Sequence, residues 1–216
     1  MNRRDLLRAA GALGAMAALP GGAMAQRNLE GAFPTPTKKY RRITTEEAFA
    51  TLPQLNGFRD IGKYLDSGSD LSFTQTLLGD SSYARDMTPR LLNLGEGRIK
   101  EMDEGGIAMQ VLSLTSPGVQ MFSPDTAVAI ARESNDILAE AIRKYPTRFA
   151  GLGAMAPHDP KRGPAEMERA IKQLGLNGFI VNSHTDGGYL DEQRFWPILE
   201  AAEALDRPIY IHPRSL

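Results

Sequence analysis

The chain is 216 residues long, with 25 Lys+Arg against 26 Asp+Glu, a formal net charge of -1 and 42% hydrophobic side chains. That balance is ordinary for a soluble globular domain and offers no basic surface to neutralise a phosphate backbone, so no nucleic-acid partner is expected. With no cysteine in the sequence, disulfides and thiolate ligands are excluded, and any metal must be held by His, Asp or Glu.

Residues 1–25 read as a twin-arginine export signal. Asn2-Arg3-Arg4-Asp5-Leu6-Leu7-Arg8 precedes a mildly apolar Ala/Gly/Leu run and then Ala23-Met24-Ala25, a small-x-small cleavage pattern. The apolar run is too short and too glycine-rich to span a bilayer stably. The mature chain is therefore expected to start near Gln26, to be exported, with the periplasm as its destination, and to keep no membrane attachment. Residues 26–39, with Gly31, Pro34 and Pro36, read as a linker, and 40–216 as one domain.

Arg42-Ile43-Thr44-Thr45 has β propensity and runs into Glu46-Glu47-Ala48-Phe49, which predicts a first strand ending at the two glutamates. Adjacent glutamates at a strand end usually face water. Strand alternation nevertheless puts Glu46 and Ala48 on one face and Glu47 on the other, so one carboxylate would point inward. Residues 51–93 carry Gly, Ser, Asp and Pro throughout and little periodicity, and read as a long functional insertion broken by short helical pieces. A helix over 97–104 closes at Gly105-Gly106, and Ile107-Ala108-Met109-Gln110-Val111-Leu112-Ser113-Leu114 is the second strand.

Ser123-Pro124-Asp125 signals a helix start, and Val128, Ile130, Ala131, Ile137, Leu138, Ala141 and Ile142 give its apolar stripe, ended by Pro146. Strand three is expected over 149–155, a helix over 164–173, strand four over 177–182 and a helix between 192 and 205. The fifth strand is Ile209-Tyr210-Ile211-His212, followed by Pro213-Arg214. Alternating strands and helices with short connections describe a parallel α/β protein, and both a doubly wound sheet and a barrel satisfy the pattern. The sequence has no GxGxxG or GxxxxGK[ST] phosphate loop, which disfavours a nucleotide-binding sheet. Polar residues at the carboxyl ends of the strands favour the barrel.

Three segments, Ile43-Thr44-Thr45-Glu46-Glu47-Ala48-Phe49, Val111-Leu112-Ser113-Leu114-Thr115-Ser116-Pro117-Gly118 and Ile209-Tyr210-Ile211-His212-Pro213-Arg214, resemble the amidohydrolase superfamily. They look most like its branch of dihydroxybenzoate, resorcylate and aminocarboxymuconate-semialdehyde decarboxylases. The resemblance covers residues from about Tyr40 onward. It implies a (β/α) TIM-barrel fold with one divalent metal, Zn or Mn, at the carboxyl ends of the strands. On this likeness Glu46 and His212 are metal ligands, and Ala48 stands where many members have histidine. The expected activity is non-oxidative decarboxylation of an aromatic or related carboxylic acid, with a hydrolase of esters, lactones or amides as the alternative.

In such enzymes a catalytic aspartate and a further histidine come from later strands, so both are expected beyond Leu216. The chain then reads as about strands 1 to 5 of 8, and an inactive fragment that needs a partner is a further alternative. The family likeness also allows homo-oligomers. His184, just past strand four, is a candidate for substrate contact together with Asn182 and Arg214, whose guanidinium fork suits a carboxylate. His158 reads as part of a helix start, and the methionines and Trp196 as core filling.

Overall fold

The computed structural model of the chain describes residues 40–61 and 69–214, so the expected signal and the linker lie outside the described residues. The strands are β1 (Ile43–Phe49), β2 (Met109–Leu114), β3 (Phe149–Ala154), β4 (Gly178–Asn182), a short pair β5 (His184–Thr185) and β6 (Gly188–Tyr189), and β7 (Ile209–His212). The helices are α1 (Leu52–Ile61), α2 (Ser69–Leu78), α3 (Ser82–Leu92), α4 (Glu96–Glu104), α5 (Pro124–Lys144), α6 (Arg162–Lys172) and α7 (Trp196–Ala204). No helix among the described residues is long and apolar enough to cross a membrane.

Five strands form one sheet in the order β1-β2-β3-β4-β7, and every pairing in it is parallel. A flat sheet would hold its two edge strands roughly 19 Å apart, four spacings of about 4.8 Å. Instead His212 Nε2 on β7 lies 3.3 Å from Glu46 Oε1 on β1. The sheet is therefore strongly curled, with the helices outside and the two edge strands facing each other across a lumen, as in part of a (β/α) barrel.

Two expectations need correction. β1 does not stop at the glutamates but continues to Phe49, with a register irregularity between Thr44 and Glu47. The stretch predicted as a mostly irregular insertion is largely helical, forming α1, α2 and α3. Their apolar stripes are too short to stand out in sequence. Burial of Leu55, Phe58, Leu77, Ala84 and Leu91 in the core overrides the Gly, Pro and Ser content, including Pro89 inside α3.

The core lies between the sheet and the helical layer, with Phe49, Phe58, Phe149, Phe179 and Phe195 among its largest fully buried side chains. Helix α5 packs so closely on β3 that a Cβ at Gly151 would stand 2.7 Å from Leu138 Cδ2 and 2.9 Å from Ile142 Cδ1. Below that contact the Asn135 amide is paired with the end of β3, donating to Ala154 O at 2.9 Å and accepting from Ala154 N–H at 2.8 Å. Asn135 also donates to Glu166 Oε1 at 2.8 Å. Glu166, only 2% exposed, completes its set with Arg169 Nη2 at 2.8 Å, Arg169 Nε at 2.8 Å and Arg132 Nη1 at 3.1 Å. One buried carboxylate thus joins α5, α6 and the functional end of β3.

Helix α6 is capped from outside by Asp159, whose Oδ1 accepts from Arg162 N–H at 2.7 Å and Lys161 N–H at 3.2 Å. The Arg162 backbone bond is the main reason that the Asp159 carboxyl is held below its ordinary 3.8. A carboxyl with a folded pKa below its unfolded one contributes stability that is present above the unfolded value and fades as pH falls through the folded one. Asp159→Ala is expected to cost about 1 kcal/mol at neutral pH, as loss of a helix cap does. Urea melts from pH 7 to pH 3 check this: the wild-type advantage over the variant shrinks below about pH 4, the ordinary aspartate range.

Candidate active site

At the carboxyl end of the sheet, β1 and β7 bring three side chains together. Tyr210 and His212 are two residues apart on β7 and so share its lumen face. The Tyr210 hydroxyl donates to Glu46 Oε2, and His212 Nε2 faces Glu46 Oε1 at 3.3 Å. The bond to Glu46 raises the phenol pKa above its ordinary value, with burial and the carboxylate charge adding to it, so Tyr210 remains a protonated donor at neutral pH. His212 Nδ1 is buried and has no hydrogen-bond partner among the described residues.

Glu47 points the other way, into the layer between β1 and the helices. There its charge favours the buried Arg98 guanidinium, whose pKa is nevertheless lowered, chiefly by desolvation. Arg98 is 8% exposed and pins the end of β1 by donating to Ala48 O at 2.8 Å, Arg90 O at 3.2 Å and Asn93 O at 2.9 Å. Of the adjacent glutamates, Glu46 alone reaches β7, and Ala48 offers no ligand atom.

A carboxylate and an imidazole are hard and borderline donors of the kind that hold Zn or Mn. Their 3.3 Å separation is one that a single ion with bonds of about 2.0–2.2 Å to each could bridge. The pair fits a divalent ion. Among the described residues no group of three or more His, Cys, Asp or Glu is placed to hold a metal, so Glu46 and His212 form a two-ligand set there.

The other predicted site residues lie along the rim. Asn182 pairs with His212 in the β4–β7 register and is 4% exposed. Its amide is turned into the loop after β2, accepting from Ser116 Oγ at 2.8 Å and donating to Pro117 O at 3.0 Å and Gln120 Oε1 at 3.0 Å. Asn182 therefore holds two loops together. His184 opens the β5–β6 hairpin, turned by Asp186 (φ 48°) and Gly187 (φ 73°). Its ring stands 6.1 Å from that of Tyr189, and its Nδ1 is 3.3 Å from Ser183 Oγ. The Arg214 backbone N–H donates to Ser183 Oγ at 3.1 Å, and its Nη1 donates to His184 O at 3.2 Å. His184 and Arg214 thus form one side of the rim next to His212.

His158 lies away from this group, with Nε2 donating to Phe122 O at 2.9 Å, where it ties the loop after β3 to the loop after β2. Trp196 is not core: it is 48% exposed at the start of α7, with its indole N–H on Asp191 O at 3.1 Å. Met102, Met155 and Met167 are fully buried, as expected of core filling.

Two positions of the candidate site, Tyr210 and Gln120, lie outside the motifs read from the sequence. The Tyr210 signal was available, since the i, i+2 rule places it beside His212. Gln120 gave no signal of its own. It is 4% exposed and its Nε2 donates to Asn182 O at 3.1 Å, His184 O at 3.0 Å and Thr185 Oγ1 at 2.5 Å. Its Oε1 accepts from Asn182 N–H at 2.5 Å. Close packing around this clamp also fixes Gly118, which has φ 68° and where a Cβ would stand 2.9 Å from Asn182 Nδ2. Gln120→Leu leaves these buried groups unpaired and is expected to lower stability by about 1–3 kcal/mol, measured by chemical denaturation.

Comparison with known proteins adds to this geometry. Residues 69–214 match the family model described as amidohydrolase, and residues 1–20 match the twin-arginine translocation pathway signal sequence. The chain is 38% identical over 153 residues to a gamma-resorcylate decarboxylase of a Polaromonas species, covering 65% of this chain and 47% of that protein. It superposes with TM-score 0.78 and 44% identity on 5-carboxyvanillate decarboxylase from Novosphingobium aromaticivorans, solved with manganese and 3-methoxy-4-hydroxy-5-nitrobenzoic acid, covering 82% of this chain and 51% of that one. A dihydroxybenzoic acid decarboxylase from Polaromonas, solved with manganese and 2-nitroresorcinol, gives TM-score 0.67 at 34% identity over 82% of this chain and 51% of that one. The chain thus spans about half the length of the relatives it matches.

Proposed function

Because the chain belongs to the amidohydrolase family, we propose that it carries the metal-binding and substrate-gripping part of a non-oxidative decarboxylase of aromatic carboxylic acids. The observation that carries this reading is the meeting of Glu46 and His212 across the curled sheet. It is supported by relatives named as decarboxylases of aromatic acids, two of them solved with manganese. The hydrolase alternative is not favoured by these relatives.

In this reading Glu46 and His212 hold one divalent cation, with Mn preferred over Zn on the strength of those structures. When bound, the ion supplies positive charge that fixes and polarises oxygen substituents of the substrate. Arg214 lies on the rim beside His212 and presents a guanidinium suited to a carboxylate. His184, steadied by Ser183, lies next to it as a hydrogen-bonding wall. Asn182 and Gln120 keep the two rim loops at a fixed separation, so that the gripping groups do not shift with the substrate. The periplasm is the proposed destination, in line with the export signal.

A second reading is that the chain binds metal and substrate but needs further groups for turnover. Its support is that the described residues contain only two converging ligands and no third His, Asp or Glu beside them. One experiment separates the two. Manganese-loaded protein is incubated with hydroxybenzoates, resorcylates and carboxyvanillate, and carbon dioxide is measured alongside binding of a nitro analogue. Carbon dioxide release supports the first reading, analogue binding without release supports the second, and neither signal contradicts both.

A further inference from the structure

Glu46 is gripped at both of its oxygens by a strand that is distant in sequence: the Tyr210 phenol lies on Oε2 and the His212 imidazole faces Oε1. The two partners approach from opposite lips of one carboxylate. We propose that Tyr210 is a positioning residue of the metal centre, whose phenol occupies Glu46 Oε2 and leaves Oε1, on the His212 side, as the single carboxylate oxygen presented to a divalent cation. The inference rests on the metal-centre reading above and deepens it by assigning how Glu46 binds.

The physical case starts from the freedom of a glutamate side chain. Glu46 is about half exposed, at 51%, and nothing in β1 itself fixes its terminal torsion. Left alone, such a carboxylate can meet a hard cation through one oxygen or both, since each carries lone pairs. An O–H donor on one oxygen biases that choice toward the other, because it occupies a lone pair of Oε2 and draws off part of its negative charge. Ligand carboxylates that are themselves hydrogen-bonded are held in orientation, and loss of an outer partner typically lowers metal affinity by about 10–100-fold.

The strand geometry makes the arrangement robust. Tyr210 and His212 point the same way from β7, and the β4–β7 register pairs Ile180 with Tyr210 and Asn182 with His212. The phenol and the imidazole therefore move as one unit, and Glu46 is set relative to His212 by the same strand that carries its co-ligand. A one-oxygen carboxylate also keeps more of the cation's positions open for substrate oxygens than a two-oxygen one would.

The test uses Tyr210→Phe, which keeps the ring and removes the hydroxyl. Manganese affinity is measured by the electron paramagnetic resonance signal of free Mn2+. The mode of carboxylate binding is read from the splitting of carboxylate stretching bands in metal-minus-apo infrared difference spectra at saturating manganese. A wide splitting in the wild type, a narrower one in Y210F and a 10–100-fold weaker affinity, at an unchanged apo melting temperature, are the expected results. If the variant is less stable as the apoprotein, the splitting at saturation still decides, since it reads only the loaded form. An unchanged splitting overturns the role of Tyr210 while leaving the Glu46/His212 centre intact. Failure of the wild type to bind manganese overturns the metal reading itself, and this inference with it.

Discussion

Replacing His212 by alanine is expected to abolish stoichiometric manganese binding, an effect well beyond the roughly 10–100-fold loss that follows removal of an outer-shell partner. The reason is the small number of donors. Glu46 and His212 are the two converging ligands among the described residues, so loss of the imidazole leaves a single half-exposed carboxylate, which in water holds a divalent ion only weakly. Glu46→Ala is expected to act in the same way from the opposite strand. The measurement is titration with Mn2+ followed by the free-ion resonance signal. Alanine at His212 also removes the 3.3 Å contact of Nε2 with Glu46 Oε1, a partly exposed pair whose loss is expected to cost the apoprotein little. A loss of metal binding with an unchanged apo unfolding transition would separate ligation from stability.

The second large effect concerns folding. Glu166→Ala is expected to destabilise the chain by about 3–5 kcal/mol, the range for breaking a buried, hydrogen-bonded ion pair by removing one partner. Glu166 is 2% exposed and accepts from Arg169, Arg132 and Asn135. Without the carboxylate, Arg169, at 13% exposure, keeps Asp136 at 2.6 Å but loses its buried partner. Asn135 loses one acceptor at the point where it holds Ala154, so the effect reaches the end of β3. Glu166→Gln, of nearly the same shape, keeps some hydrogen bonding and is expected to fall between the wild type and alanine. Urea unfolding monitored by far-ultraviolet circular dichroism gives both values.

The strands β2, β3, β4 and β7 are legible in the sequence because each is a largely apolar run bounded by turn residues, β1 is legible from its β-branched start, and the stripe from Val128 to Ile142 marks α5. Strand ends were less legible. The two glutamates looked like a terminus because charge usually signals solvent, yet β1 carries them to opposite sides, toward β7 and toward Arg98. The helices α1 to α3 were obscured because their order comes from burial against the rest of the core rather than from a long periodic stripe. Trp196 reads as core filling, yet it is 48% exposed. Its indole N–H needs an acceptor, and Asp191 O supplies one at the surface.

The candidate site divides in the same way. Glu46 and His212 were reachable through family likeness and strand periodicity. Their partners were not, since Tyr210 meets Glu46 across 164 positions of sequence and Gln120 meets Asn182 across 62. Such contacts depend on the curl of the sheet and the path of the loop after β2, which no local pattern encodes. The hairpin carrying His184 is an intermediate case: Asp186-Gly187 is a strong two-residue turn signal that could have been read before the fold was known.

The metal centre stands or falls on whether Glu46 and His212 share one ion. Crystals of the manganese-loaded chain, with diffraction collected at the manganese absorption edge, test this most directly. A single anomalous peak between Glu46 Oε1 and His212 Nε2, with Tyr210 still on Oε2, is the expected result. A peak elsewhere, or none at saturating manganese, would contradict it.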